Sequence, residues 1–156
     1  MALSVPLSRF TPRVGGGSAF FVRPMSARPF PERVSEMIPR YEKLFAERGG
    51  ITPTDPLKFH LYHLARYWSR LVGFCRQDPL KPAGFIDGDL GACVQVGSEF
   101  AHKLIAADSS IYGRWQEYWT QTQAVLHQRP VSIEAVETAH RTFEACLREL
   151  KYDPWA

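Results

Sequence analysis

The sequence predicts an all-α fold built as a single bundle. Apolar residues recur at intervals of three and four along several segments, which is the spacing of one helix face. Breaks rich in Gly and Pro separate these segments, and no stretch alternates apolar and polar residues as a strand would. The chain has 156 residues, of which 45% are hydrophobic, so it can bury one core. No run reaches the ~18 apolar residues of a transmembrane helix.

The clearest helix spans residues 55–73 and is expected to lie at the centre of the bundle. Thr54 or Asp55 can cap its first N–H groups, and Pro56 suits the first turn, where a missing N–H does no harm. Its apolar stripe continues slightly past residue 73. The stripe consists of Leu57, Leu61, Leu64, Tyr67, Trp68, Leu71, Val72, Phe74 and Cys75. A stripe of this width indicates that other helices pack on both of its sides.

The same periodicity predicts four further helices, over residues 31–48, 90–107, 111–127 and 132–150. Pro39 should kink or split the first of them, because proline lacks the N–H that a helix interior needs. The segment 78–88 is expected to be a loop, after which Asp89 caps the next helix. Ser132 is expected to cap the last helix.

Residues 1–30 form a basic segment ahead of the predicted bundle, which covers residues 31–151. The segment holds four arginines and no acidic residue, whereas the rest of the chain has 15 basic and 16 acidic side chains. An Arg- and Ser-rich segment without acids is typical of organelle targeting, and a mitochondrial location is favoured over a plastid. The alternative is that the segment is retained as an extended arm lying on partner subunits.

The arm interpretation assigns partner binding to aromatic and arginine side chains. Those in the basic segment are joined by the tryptophan of the C-terminal tail, residues 152–156. The predicted partner-binding residues are Arg9, Phe10, Phe20, Phe21, Arg23 and Trp155.

Charge and cysteine usage argue against two other kinds of site. The nearly neutral body lacks the basic surface that nucleic-acid binding requires, so no nucleic-acid partner is predicted. Cys75, Cys93 and Cys146 are too widely spaced for a zinc motif. They are predicted to be reduced, mostly buried thiols, as in cytosol or mitochondrial matrix.

Two Glu-x-x-His pairs raise the question of a di-iron site, because ferritin-like bundles use this motif. The pairs are Glu99 with His102 and Glu137 with His140, and Glu117 lies on the helix between them. On a helical wheel each glutamate lies more than about 90° from the centre of its apolar stripe. They are therefore expected to face solvent. Neither a nucleophile–base pair nor a phosphate-binding Gly loop is present, so no metal, cofactor or catalytic residue is predicted.

Four motifs occur in a distinctive order: FPERVSEMIPRYEKLF (30–45), PTDPLKFHLYHLARYWSRLVG (53–73), RWQEYW (114–119) and SIEAVETAH (132–140). The second resembles the region of the acyl-CoA-binding protein family in which a Pro-Thr/Ser-Asp start leads into LYxLYKQATxG. The first resembles that family's first helix. The last two resemble its KWDAW and SKEDAMKAY motifs. The resemblance extends over residues 30–150.

The resemblance implies a four-helix bundle that binds long-chain acyl-CoA in a shallow bowl, here with an inserted helix over 90–107. It carries over four ligand-binding positions, which are Tyr62, Arg66, Arg114 and His140. Arginines at such positions suit the CoA phosphates, because guanidinium binds phosphate in a bidentate manner. The chain departs from the family at Ala65 and over residues 67–69, where a tyrosine and Gln-Ala-Thr are expected.

Together these features favour a non-catalytic accessory subunit of a large mitochondrial assembly, with ATP synthase or a respiratory-chain complex as first candidates. Its partners are expected to be other protein subunits, in the matrix or on the matrix side of the inner membrane. The alternative is a soluble mitochondrial protein that binds acyl-CoA or phospholipid.

Overall fold

Residues 30–47 and 55–155 are described by the computed structural model, and they contain six α-helices. The helices are α1 (Phe30–Glu47), α2 (Pro56–Gln77), α3 (Pro82–Ile86), α4 (Asp89–Leu104), α5 (Tyr112–His127) and α6 (Ile133–Glu149). No described residue belongs to a strand, so the all-α prediction is confirmed.

The centre of the bundle is formed by α2 and α4. Residues 91–98 of α4 are all buried, and Leu61, Leu64 and Trp68 of α2 have no exposed surface. α1 packs on α4, α6 packs on both α2 and α5, and α3 bridges α2 and α4. The helix expected as an insertion is therefore a central core helix, and it ends at Leu104.

α2 is longer than the sequence analysis predicted. It begins after Asp55, whose carboxylate accepts a hydrogen bond from the Leu57 N–H at 3.0 Å, as expected of a cap. It continues past Gly73 to Gln77, so the predicted end is wrong. A glycine inside a helix costs only about 1 kcal/mol relative to alanine. The complete burial of Cys75 in the next turn favours continuing the helix.

Three local predictions differ from the structure in part or in full. α1 runs as one helix through Pro39, so the predicted split is wrong, while the predicted kink stays a prediction. Pro39 has no N–H to donate to the Ser35 carbonyl one turn earlier. Both residues are exposed, so water can bind that carbonyl instead. The predicted loop contains α3, with Pro82 in its first turn. Gly88, rather than Asp89, is the N-cap of α4, and Asp89 lies in the first turn, where negative charge is favourable.

Local contacts fix the starts of α4 and α6. A Cβ at Gly91 would lie 1.7 Å from the carbonyl oxygen of Ile86, so only glycine allows α3 and α4 to approach this closely. The hydroxyl of Ser132 accepts a hydrogen bond from the Ala135 N–H at 3.1 Å, which confirms the predicted cap of α6.

A buried aromatic cluster joins α1 to α2 and α4. The Tyr41 hydroxyl lies 2.9 Å from Nδ1 of His60, and the two rings stack with centroids 5.2 Å apart. Phe100 of α4 stacks on both rings. Burial, together with the nearby His63, lowers the pKa of His60 to about 4, so the imidazole is neutral near pH 7.

A second buried network links α2, α4 and α5. Nε1 of Trp68 donates to the hydroxyl oxygen of Tyr118 at 2.9 Å, and the Ser98 hydroxyl lies 2.7 Å from the same oxygen. None of the three residues has exposed surface. A buried polar group without a partner costs about 1–3 kcal/mol, so this one oxygen satisfies groups that would otherwise destabilise the core.

Replacing Tyr118 with phenylalanine is expected to lower the free energy of unfolding by about 1–3 kcal/mol, because Trp68 and Ser98 lose their shared partner. Urea unfolding followed by circular dichroism measures the change. Tyr112→Phe is the matched control, because Tyr112 is 36% exposed, and its effect should stay below about 0.5 kcal/mol. Equal stability of Tyr118→Phe and the wild type would contradict the importance of the network.

Candidate functional site

The predicted ligand residues Tyr62 and Arg66 lie side by side on α2. Nη1 of Arg66 donates to the Tyr62 hydroxyl at 3.3 Å, and the guanidinium carbon lies 5.7 Å from the ring centroid. The two residues are one turn apart, so this contact follows directly from helical spacing. Tyr62 is half-buried and Arg66 is exposed, which leaves the other guanidinium N–H groups facing solvent.

Lys58 and Tyr152 extend this surface toward the start of α2. The Tyr152 hydroxyl donates to the Lys58 carbonyl at 3.4 Å, and Nζ of Lys58 lies 5.6 Å from the Tyr152 ring centroid. Burial is the main cause that raises the pKa of Tyr152, so its hydroxyl stays protonated near pH 7. Lys58, Tyr62 and Arg66 follow each other at intervals of four. With Tyr152 they form what we call the cationic strip.

The way α6 ends places Tyr152 on the cationic strip. Lys151 has a φ of 53°, in the left-handed region that glycine favours. The Tyr152 N–H donates to the Leu147 carbonyl and the Lys151 N–H to the Arg148 carbonyl, both at 3.0 Å. These two bonds define a Schellman termination, which turns the chain back toward α2. The sequence analysis missed Tyr152 because no glycine marks this turn.

The predicted ligand residue His140 packs on the buried Trp68 and does not add a positive charge to the cationic strip. Its ring stacks on Trp68 with centroids 5.9 Å apart, and its Nε2 lies 3.7 Å from the Glu144 carboxylate. Burial lowers the pKa of His140, an effect that Glu144 opposes only in part. The imidazole is therefore largely neutral near pH 7, and one face of the ring is already covered.

Arg114 lies on α5 and is already paired. Its Nε donates to the carboxylate of Glu149 on α6, and both side chains are partly exposed. The structure thus brings two of the four predicted ligand residues, Tyr62 and Arg66, into contact. Arg114 is instead paired with Glu149, and His140 packs on Trp68.

Of the predicted partner-binding residues, the structure describes only Trp155, which is 58% exposed. The other five, within residues 1–29, lie outside the described residues. Exposed apolar side chains occur at the end of α2 and in the turn after it: Phe74 is 43% exposed and stacks on Phe85 of α3, and Leu80 is 90% exposed. We call Phe74, Leu80 and Phe85 the apolar patch. Leu80 stands between two prolines of the predicted loop, which was its only signal in the sequence.

Of the three glutamates considered for a di-iron site, two have separate partners and the third is exposed. The Glu99 carboxylate accepts from the Gln95 side chain, Glu137 pairs with Arg76 at 2.7 Å, and Glu117 is exposed. In residues 30–47 and 55–155, no three His, Cys, Asp or Glu residues are grouped closely enough to hold a metal ion. Within the same ranges, no helix has the length and apolar character needed to span a membrane.

The cysteine prediction is confirmed, since Cys75, Cys93 and Cys146 are all free and buried. Burial raises the pKa of the Cys75 thiol to about 11, which keeps it protonated and unreactive near pH 7.

Comparisons of the chain with protein-family models, with curated proteins and with solved structures gave no match. The site is therefore interpreted from its own chemistry. The cationic strip presents the Lys58 ammonium, the Arg66 guanidinium and the Tyr62 hydroxyl along one side of α2, while the Tyr152 hydroxyl is used on the Lys58 carbonyl. Such a set suits an anionic group such as a phosphate, because charged donors form the stronger hydrogen bonds.

Replacing Lys151 with glycine is expected to raise the free energy of unfolding by about 1 kcal/mol, because glycine adopts the left-handed conformation without the steric cost of a Cβ. Lys151→Ala is the control and should be close to neutral, since alanine keeps the Cβ. Thermal and urea unfolding measure both variants. A lower free energy of unfolding for the glycine variant would contradict this prediction. It would show that the Lys151 side chain stabilises the fold by more than its left-handed backbone destabilises it.

Proposed function

We propose that this chain is a non-catalytic accessory subunit of a large mitochondrial assembly, with ATP synthase or a respiratory-chain complex as first candidates. The observation that carries the proposal is the apolar patch, in which Leu80 is 90% exposed and Phe74 43% exposed. Large exposed apolar side chains at neighbouring positions of the chain are candidates for a protein interaction site, because contiguous apolar surface marks such sites. Trp155, at 58% exposure, offers a second apolar contact.

Two predicted ligand residues contact other helices of the same chain, which also supports a structural role. Arg114 is paired with Glu149, and His140 is neutral against Trp68. Side chains that the acyl-CoA-binding resemblance assigns to a ligand thus stabilise contacts between helices. The basic, acid-free composition of residues 1–30 favours the mitochondrion as the location.

The test is native-gel separation of solubilised mitochondria that carry the tagged chain. The wild type should migrate with a megadalton membrane complex rather than as a free protein of 17.8 kDa. Burying an apolar side chain contributes about 1.5–3 kcal/mol. The double substitution Phe74→Ser and Leu80→Ser should therefore reduce incorporation by at least about tenfold.

Leu104→Ser is the matched control, because Leu104 is 45% exposed on α4, outside the apolar patch. It should be incorporated like the wild type. Circular dichroism of the purified variants confirms that each is folded. Migration of the wild type entirely as a free protein would overturn the proposal.

The cationic strip favours a second candidate function, a soluble mitochondrial binder of acyl-CoA or anionic phospholipid. Lys58 and Arg66 contact aromatic rings, and neither forms an ion pair with a carboxylate in the part of the chain that the structure describes. Both cations therefore remain available to a phosphate group.

Titration calorimetry with a long-chain acyl-CoA tests this candidate. Arg66→Ala should weaken binding at least about tenfold, because a hydrogen bond to a charged group contributes about 1.5–3 kcal/mol. Arg141→Ala, at an exposed arginine on α6 that donates to the Thr138 hydroxyl, is the control and should bind like the wild type. A wild type with no affinity would exclude this candidate and leave the assembly proposal standing.

A further inference from the structure

The exposed side of α2 carries positive charge and no carboxylate. α2 holds four of the 15 basic side chains in residues 31–156 and none of the 16 acidic ones. One of the four, Arg76, is paired with a carboxylate of α6 at 2.7 Å. The other three are Lys58, Arg66 and Arg70, and all of them are exposed. Positive charge is therefore concentrated on one helix, while the rest of this range has more acidic than basic side chains.

Arg66 and Arg70 are not neutralised within the described part of the bundle. In residues 55–155, the arginines that pair with a carboxylate are Arg76, Arg114 and Arg129. Arg66 and Arg70 are four residues apart, so their side chains are neighbours on the exposed side of α2. Like charges at this spacing destabilise a helix, and an anion in contact with both guanidinium groups would offset that repulsion.

Ser69 lies between the two arginines and is also exposed. We call the cationic strip, together with Ser69 and Arg70, the basic face of α2. Between Lys58 and Arg70, the exposed residues are these two, Arg66 and Ser69, and none of them is apolar. A protein interface is usually apolar at its centre. The basic face lacks such a centre, which argues against an acidic protein as its partner.

The cations of the basic face are spread along the helix. Lys58 and Arg70 are about 18 Å apart along the axis and about 120° apart around it. Their long side chains can bend toward a common plane, so both can meet a flat surface. A bilayer presents many headgroup phosphates over such a surface, whereas a single phosphate group does not extend this far. Tyr62 and Tyr152 suit the same environment, because tyrosine is enriched where a membrane meets water.

Two carboxylates, those of Asp55 and Asp153, lie at the start of the basic face. Each accepts a backbone N–H, at 3.0 Å and 2.9 Å respectively. Arg66 is about 16 Å along the axis from Asp55, which exceeds the screening length of about 8 Å at physiological salt. The attraction to an acidic surface is therefore centred on Arg66 and Arg70.

We infer that the basic face of α2 binds the surface of a bilayer that contains acidic phospholipids, with Arg66 and Arg70 against the headgroup phosphates. The inference rests on the second candidate function, with which it shares Lys58, Tyr62 and Arg66, and it replaces a single bound molecule by a membrane surface. It does not use the apolar patch, which carries the assembly proposal.

Sedimentation of the full chain with lipid vesicles tests the inference. One set of vesicles contains phosphatidylcholine alone, and the other contains equal parts of phosphatidylcholine and phosphatidylglycerol. The wild type should bind only the acidic vesicles, and added salt should release it. Arg66→Gln combined with Arg70→Gln should weaken binding about 25-fold, because each cation near an acidic lipid surface contributes about fivefold in affinity.

Arg141→Gln combined with Arg148→Gln is the matched control, because both arginines are exposed on α6 and the loss of charge is the same. It should bind like the wild type, and circular dichroism checks that both variants are folded. All proteins keep the same residues 1–30, so the charge of that segment is common to every comparison.

Two results would overturn the inference. The first is an α2 variant that binds no more weakly than the α6 control, because binding would then follow net charge and not the basic face. The second is a wild type that does not bind acidic vesicles. If the same wild type binds acyl-CoA in the calorimetric titration, the second candidate function remains supported without the membrane surface. The native-gel test of the assembly proposal is independent of both results.

Discussion

The hydroxyl oxygen of Tyr118 is the contact on which the arrangement of the core depends. It is buried and meets Trp68 of α2 and Ser98 of α4. A hydrogen bond weakens when its donor–acceptor distance is lengthened by a few tenths of an ångström. The two contacts of this oxygen therefore fix the relative position of α2, α4 and α5. The effect extends to α6, because the Trp68 ring that donates to Tyr118 is also the ring on which His140 stacks.

The sequence predicted the apolar side of α2 well and its other side poorly. Leu61, Leu64 and Trp68 recur at helical spacing, and that periodicity depends only on local geometry. His60 and His63 are also buried, although their residue type is usually found near the surface. Burial of His60 depends on the Tyr41 hydroxyl of α1, a partner 19 residues away that no local pattern can reveal.

The same distinction between local and distant causes applies to the candidate site. The contact between Tyr62 and Arg66 was predictable, because residues four apart on a helix are neighbours. The positions of Tyr152 and of the Arg114–Glu149 pair were not. Both depend on how the end of α6 lies relative to other helices, and the decisive turn occurs at a lysine with φ of 53° rather than at a glycine.

α2 connects the two surfaces that the proposals use, and it keeps them apart. Arg66 and Phe74 are eight residues apart, which is about 12 Å along the axis and about 80° around it. Both residues lie on one uninterrupted helix, so helix geometry sets the distance between Arg66 of the cationic strip and Phe74 of the apolar patch. A partner on Phe74 and Leu80 would therefore leave Lys58 and Arg66 accessible. A partner on the apolar patch and an anion on the cationic strip would therefore contact different side chains of α2, Phe74 in one case and Lys58 and Arg66 in the other.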